Sequence, residues 1–135
     1  MVRAAETKDL AFASQDGYVD STVVRRKIGQ GEVFIAELEG EAVGYARIEY
    51  LWSIRPYLAL IHVLEPYRRR GVGRALLSHI EYVLREAGQS TLLSSSQVDE
   101  SPPQAWHRHM GFMECGIIHG VNKGGVGEVF FRKSL

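Results

Sequence analysis

Seven consecutive residues near the middle of the chain combine a high density of positive charge with two glycines: Arg68, Arg69, Arg70, Gly71, Val72, Gly73 and Arg74. Glycine lacks a Cβ, so backbone N–H groups can come close to an anion. The first turn of a following helix adds unpaired N–H groups and a partial positive charge. Arginine contributes planar donors that match phosphate oxygens. Residues 68–74, the arginine–glycine loop, therefore predict a binding site for a phosphorylated cofactor.

The spacing of the loop disagrees with two common phosphate-binding motifs. A P-loop ends in Gly-Lys-Ser/Thr, whereas Gly73 is followed by Arg74 and Ala75, so both the lysine and the magnesium-binding hydroxyl are missing. A dinucleotide fingerprint needs a third glycine, and Leu76 occupies that position. Nucleotide hydrolysis and dinucleotide binding are therefore disfavoured.

The segments on either side of the loop are strongly patterned. Residues 57–63 are apolar nearly throughout, which is typical of a central strand buried on both faces. Apolar residues recur at helical spacing over residues 72–87, and Gly88 ends that pattern. Residues 90–97 predict another strand. Strand, loop, helix and strand thus form one βαβ unit, for which a right-handed crossover is expected.

Weaker patterns predict the other elements. Two short N-terminal helices begin after the capping residues Thr7 or Asp9 and Asp20, and Pro56 marks a break before the central strand. The remaining predicted elements are hairpin strands over 33–38 and 43–51, a late helix from Pro102 to before Gly111, and closing strands over 112–118 and 128–132.

Length and composition limit the organisation of the protein. With 135 residues, 45% of them hydrophobic, the chain predicts a single domain over residues 1–135. The formal net charge is zero, from 16 basic and 16 acidic side chains, so no overall positive field favours nucleic acid. Cys115 is the only cysteine, which excludes an intrachain disulfide, and it is predicted to be a small packing residue. The chain shows neither signal-peptide nor membrane-spanning character, so a cytoplasmic protein without a membrane partner is expected.

The arrangement Arg68-x-x-Gly71-x-Gly73, placed between an apolar strand and an amphipathic helix, resembles the cofactor loop of the GNAT family of N-acetyltransferases. The element order agrees over nearly the full chain, as does the pair Gly111-Phe112 after the late helix. The resemblance implies an α/β fold with a mixed, mostly antiparallel central sheet flanked by helices. Two parallel strands of that sheet would splay apart to form an acetyl-CoA cleft.

The resemblance also implies where acetyl-CoA binds. The pantetheine arm would pair with the backbone of the central strand, and the pyrophosphate would lie on N–H groups of the arginine–glycine loop. The implied cofactor-binding residues are Ile61, Val63, Leu64, Arg68, Arg69, Arg70, Gly71, Val72, Gly73 and Arg74. For Arg69, the alternative is that its side chain faces solvent and does not bind the cofactor.

Transfer of an acetyl group to an amine requires a neutral amine, stabilisation of an oxyanion and protonation of the leaving thiolate. Glu49 and His62 are the candidate general bases, although an exposed strand-end glutamate and a hydrogen-bonded core histidine are the alternatives. Family members often use a tyrosine for the thiolate, and His107 occupies that position here. Histidine can deliver a proton because its unperturbed pKa is about 6.5. A packing or surface role is the alternative for His107.

The predicted function is acetyl-CoA-dependent transfer of an acetyl group to a primary amine of a small molecule or protein, by direct attack in a ternary complex. One alternative is an acyl-CoA-binding protein with little turnover, because His107 replaces the tyrosine. The other is an RNA-binding module, against which the zero net charge counts. Neither a metal site nor a nucleic-acid partner is expected, and a homodimer is left open. Tyr45, Tyr50 and Trp52 are predicted to line an acceptor pocket or to belong to the core.

Overall fold

The computed structural model describes all 135 residues, which fall into two compact units. The first unit consists of Met1–Glu49 and Ala59–Val83, and the second consists of Tyr50–Leu58 and Leu84–Leu135. No helix in either unit has the length and apolar character that crossing a lipid bilayer requires.

Strands and helices of the first unit follow the predicted order. They are β1 (Val2–Ala4), α1 (Leu10–Ala13, after a 3₁₀ turn at Thr7–Asp9), α2 (Ser21–Gly29), β2 (Val33–Leu38), β3 (Glu41–Leu51), β4 (Arg55–Val63) and α3 (Val72–Glu86). Three of them, β3, β4 and α3, continue into the second unit. The strands are ordered β1-β2-β3-β4, and β2 is antiparallel to both β1 and β3.

The first unit packs apolar side chains on both faces of β3. On one face, Tyr45 is fully buried in a cluster with residues of α1 and α2, such as Ala13 and Val24. On the other face, a Cβ on Gly44 would lie 3.3 Å from Val72 Cγ1 on α3, and it would also lie 3.0 Å from the carbonyl oxygen of His62 on β4. Glycine at this position therefore permits the close contact between sheet and helix.

The second unit contains β5 (Thr91–Gln97), α4 (Ser101–His109), β6 (Met113–Ile118) and β7 (Glu128–Ser134). Its strands are ordered β4-β5-β7-β6. The β4–β5 pair is parallel, with Leu58 opposite Ser94, and β7 is antiparallel to both β5 and β6. The sheet is thus mixed and mostly antiparallel, as predicted.

Three local predictions are wrong. Pro56 lies inside β4 and does not mark a break before it. The strand begins at Arg55, and Pro56 is fully buried near the start of the strand, where a proline is tolerated. Residues 59–63 are only half-buried, so β4 is not enclosed on both faces along its whole length. Cys115 is exposed, because β6 is the last strand in the order and all six of its residues are exposed.

The structure also differs from the sequence prediction at the N-terminus, and it decides the location of two aromatic residues. The sequence pattern missed β1, whose three residues are too few for a periodicity to appear. Tyr45 belongs to the core, whereas Trp52 is 76% exposed in the turn after β3.

A buried ion pair fastens the chain after α1 to β3. The Arg47 guanidinium donates from Nη1 to Asp16 Oδ1 at 2.7 Å and from Nη2 to Asp16 Oδ2 at 2.8 Å. Tyr45 Oη donates to the same carboxylate at 2.8 Å, and the ion-paired side chains are only 4% and 5% exposed. Burial works against ionisation, but the bonds from Arg47 and Tyr45 prevail and hold the pKa of Asp16 well below its usual range.

Arg47→Met is expected to lower the free energy of unfolding by about 3 to 5 kcal/mol at neutral pH, because it leaves the Asp16 carboxylate buried without a cation. Urea unfolding followed by circular dichroism would measure the change. A loss below about 1 kcal/mol, the value typical of a surface ion pair, would contradict this interpretation.

The Arg47–Asp16 ion pair also affects how the stability of the folded protein changes at low pH. The folded-state pKa of Asp16 is depressed, so its stabilising contribution is present above the unfolded value of about 3.9 and is lost as the pH falls through the lower folded value. Asp16→Asn should therefore flatten the decline in stability below about pH 4.

Candidate functional site

The backbone of the arginine–glycine loop presents a helix N-terminus without a capping side chain. Arg69 and Gly71 adopt the left-handed conformation, with φ of 62° and 82°, and α3 begins at the next residue. The first helical bond runs from the N–H of Ala75 to the carbonyl oxygen of Gly71 at 2.9 Å. Because Gly71 has no side chain to cap the helix, the N–H groups at the start of α3 can bind an anion.

The arginines of the loop have different roles. Arg68 Nε donates to the carbonyl oxygen of Val63 at 2.8 Å, which fastens the loop to the end of β4. The Arg70 guanidinium lies over the Tyr67 ring, 5.6 Å from its centroid. Arg69 is exposed, in agreement with its predicted alternative role. Arg68 thus shapes the loop in this structure.

Of the three residues predicted to contact the pantetheine arm, Leu64 differs from Ile61 and Val63 in the direction of its backbone groups. The N–H of Leu64 donates to the carbonyl oxygen of Val43 at 2.9 Å, so this group is committed to β3. Adjacent residues of a strand direct their backbone groups to opposite edges, so those of Ile61 and Val63 point away from β3. The backbone groups of Ile61 and the N–H of Val63 can pair with an extended amide-containing arm, whereas the Val63 carbonyl oxygen already accepts from Arg68. Together with the start of α3, they fit a cofactor that carries both such an arm and a pyrophosphate.

The two candidate bases lie on the same face of the first unit. The His62 ring is half-buried and packs against the Tyr45 ring, with 5.4 Å between centroids. Glu49 is exposed and follows Arg47 by two residues, which places it on the same face of β3 as Arg47 and Tyr45. The structure thus gives Glu49 free access to solvent, whereas His62 makes the packing contact typical of a core residue.

His107 is buried on α4 and bonded through both ring nitrogens. Nδ1 lies 2.8 Å from the carbonyl oxygen of Pro103, and Nε2 lies 2.6 Å from Ser94 Oγ. A carbonyl can only accept, so we assign the proton to Nδ1, and Nε2 then accepts from the Ser94 hydroxyl. The ring stacks on Phe131 with centroids 4.6 Å apart. Burial lowers the pKa of His107, so a neutral imidazole is favoured.

This arrangement limits the chemistry of His107. In the assigned tautomer, Nε2 carries no proton, and it can take one only from or through Ser94. The sequence pattern did not indicate Ser94 as a site residue, nor Ser95, which contacts Glu128 on the opposite face of β5. The signal available was a run of three serines, Ser94, Ser95 and Ser96, inside a predicted strand. No cluster of three or more His, Cys, Asp or Glu side chains has an arrangement that could hold a metal ion.

Ser94→Ala is expected to lower the free energy of unfolding by about 1 to 3 kcal/mol, because the buried Nε2 of His107 would lose its donor. Ser96→Ala is the matched control on the same face of β5. Its hydroxyl is buried without a hydrogen-bond partner, so its removal should be neutral or stabilising. Thermal unfolding of both variants tests this, and equal losses would contradict a special role for the Ser94–His107 bond.

Comparison with known proteins agrees with this geometry. Residues 2–112 match the family model described as the acetyltransferase (GNAT) family. The chain is 34% identical over 115 residues to an aminoglycoside N(6')-acetyltransferase type 1 of Stenotrophomonas maltophilia, covering 78% of this chain and 69% of that protein. It is 30% identical over 91 residues to a streptothricin acetyltransferase of Streptomyces lavendulae, covering 67% of this chain and 48% of that protein. The chain thus spans about half the length of that relative.

The fold also has close structural relatives. The crystal structure of a ribosomal-protein-alanine N-acetyltransferase from Brucella melitensis superposes with a TM-score of 0.82 at 26% identity, covering 100% of this chain and 99% of that one. The family match covers far more than half of the residues and includes β4, the arginine–glycine loop and α3. The chain belongs to the acetyltransferase (GNAT) family.

Proposed function

We propose that this protein is an acetyl-CoA-dependent N-acetyltransferase that moves the acetyl group to a primary amine of a small molecule or protein. The observation that carries the proposal is the N-terminus of α3, where Gly71 in the left-handed conformation comes immediately before the first helical residue, Val72. The N–H groups at the start of α3 can bind the pyrophosphate of the cofactor, and the end of β4 can bind its extended pantetheine arm. Membership of the acetyltransferase family supports the same cofactor.

In this proposal the chain holds acetyl-CoA mainly through its backbone. Ile61 and Val63 pair with the pantetheine arm, and N–H groups from Arg69 to Arg74 bind the pyrophosphate. Arg70 and Arg74 add charge to the phosphates, while Arg68 holds the loop against Val63. Bound acetyl-CoA supplies the activated acyl group, and the amine attacks it directly in a ternary complex.

Proton transfer is assigned to three side chains. Glu49 and His62 are the proposed candidates for removing a proton from the acceptor, and exposure favours Glu49. His107 is proposed to serve the leaving thiolate, and its hydrogen bond requires it to act through Ser94. Because burial lowers the pKa of His107 and both of its ring nitrogens are hydrogen-bonded, acyl-CoA binding with little turnover is the second candidate function.

The acceptor is proposed by chemical class only. The relatives are named for an aminoglycoside, for streptothricin and for the alanine of a ribosomal protein, so both small molecules and proteins are represented. The proposed reaction requires only that the acceptor carry an amine. A cytoplasmic location and a homodimer stay predictions.

Acetyl-CoA should stabilise the purified protein, because a ligand that binds only the folded state adds about 2.7 kcal/mol at 100 times its Kd. Thermal unfolding with and without acetyl-CoA measures this, and release of free CoA with a panel of amines and amino-terminal peptides measures turnover. Stabilisation without CoA release from any acceptor would favour the binding protein. The absence of stabilisation would overturn both candidate functions.

Gly73→Val is expected to weaken acetyl-CoA binding at least about tenfold, or about 1.4 kcal/mol, because a branched side chain would intrude on the phosphate path. Gly29→Val is the matched control, since Gly29 lies in α2 and a Cβ there meets nothing within 4 Å. Titration calorimetry with acetyl-CoA compares the two variants. Wild-type affinity in Gly73→Val would contradict the placement of the pyrophosphate.

A further inference from the structure

A chain of polar contacts connects three strands and a loop of the second unit. Tyr57 Oη lies 2.5 Å from Ser95 Oγ, and Ser95 Oγ donates to Glu128 Oε2 at 2.6 Å. Asn122 Nδ2 donates to Glu128 Oε1 at 2.9 Å. The single proton of Ser95 is directed to the carboxylate, so Tyr57 must be the donor to Ser95. All four residues are half-buried.

The partners of Glu128 distinguish it from other half-buried or buried carboxylates. Asp9, Asp16, Glu32 and Glu37 each have an arginine or lysine nitrogen within 3.0 Å. Glu128 instead accepts hydrogen bonds from two neutral groups, the Ser95 hydroxyl and the Asn122 amide. A partly desolvated carboxylate is stabilised by a positive charge, and the two groups that donate hydrogen bonds to Glu128 carry none.

We propose that Glu128, in place of Glu49 or His62, is the final acceptor of the proton that the acceptor ammonium loses, with Tyr57 and Ser95 as the path to it. This inference rests on the proposed acetyltransferase function and identifies a proton acceptor that the sequence did not indicate. Tyr57 is the group that meets the acceptor. Ser95 and Glu128 act through it, and Asn122 positions the carboxylate.

The position of Tyr57 along β4 supports this role. Residues 57, 59, 61 and 63 share one face of the strand because side chains alternate between faces. The proposed pantetheine arm starts at the arginine–glycine loop, after the end of β4, and follows the strand backwards past Val63 and Ile61. Tyr57 thus lies on the same strand as the two residues assigned to the arm, and it precedes them in the chain. The Tyr57 ring is held against Phe130, with 6.0 Å between centroids.

The proton balance of the proposed step is complete. The ammonium gives a proton to Tyr57 Oη, the Tyr57 proton passes to Ser95 Oγ, and the Ser95 proton passes to Glu128 Oε2. The amine, now neutral, attacks the thioester carbonyl, so a C–N bond forms and the C–S bond breaks. The second amine proton is transferred to the leaving thiolate. Glu128 then releases its proton to solvent, and the chain of hydroxyls is restored.

Glu128→Gln keeps the shape of the side chain and removes its charge. With the best alkylamine acceptor found in the screen, kcat should fall by roughly 100-fold or more, the usual contribution of a general base. Tyr57→Phe should produce a comparable loss, because it removes the first hydroxyl of the path. Acetyl-CoA affinity measured by calorimetry should stay at the wild-type value in both variants. Glu100→Gln, which removes an exposed carboxylate of the same unit, is the matched control and should keep wild-type kcat.

A second acceptor separates a proton-transfer role from a structural one. In the aminooxy analogue of the same acceptor, –O–NH₂ replaces –CH₂–NH₂, and this group is already largely unprotonated at pH 7. Glu128→Gln should therefore slow the alkylamine severely and the aminooxy analogue only slightly. A structural defect would slow both acceptors alike.

The outcomes distinguish the inference from the function on which it rests. If the wild-type protein transfers acetyl to no amine, the proposed function fails. If the wild-type protein is active but Glu128→Gln retains its kcat, or slows both acceptors equally, the assignment of Glu128 is overturned. A selective loss with the alkylamine, together with unchanged acetyl-CoA affinity, supports it.

Discussion

The close approach of α3 to β3 at Gly44 is the constraint on which the candidate cofactor site depends. A Cβ at this position would lie 3.3 Å from Val72 Cγ1 on α3 and 3.0 Å from the carbonyl oxygen of His62 on β4, so any larger residue would push the helix or the neighbouring strand away. Because Val72 begins α3 and contacts this same point, the packing fixes where the helix N-terminus lies relative to β4. The Arg68–Val63 hydrogen bond then closes the loop between them. The position of the candidate anion site thus depends on the packing of Val72 against Gly44.

Strand β5 places different polar groups on its two faces, and the alternation of side chains is the reason. Ser94 faces the buried ring of His107, in surroundings that favour the neutral imidazole. Ser95 lies on the opposite face of β5 and contacts Tyr57 and Glu128, which are both half-buried. A shift of one residue in register would exchange these environments. Proton chemistry in the second unit therefore depends on strand register as much as on residue type.

Most of the element order could be predicted because it rests on local signals. Asp20 caps α2 through the N–H of Thr22, and the helical spacing from residue 72 and the stop at Gly88 match α3. Errors arose where burial is decided by distant residues. Pro56 is accommodated inside β4, and Cys115 is exposed because β6 lies at the end of the strand order. Neither outcome can be read from the neighbouring residues, since each depends on which strands lie alongside.

The sequence by itself indicated the family and predicted the cofactor loop, because glycine conformation, the start of a helix and the apolar strand before it are properties of consecutive residues. Only the tertiary structure decided which side chains share protons. Ser94 and His107 are 13 positions apart, Ser95 and Glu128 are 33 apart, and Tyr57 and Ser95 are 38 apart. Their contacts exist because strand pairing and register bring distant segments together, and hydrogen bonds depend on distances of a few tenths of an ångström.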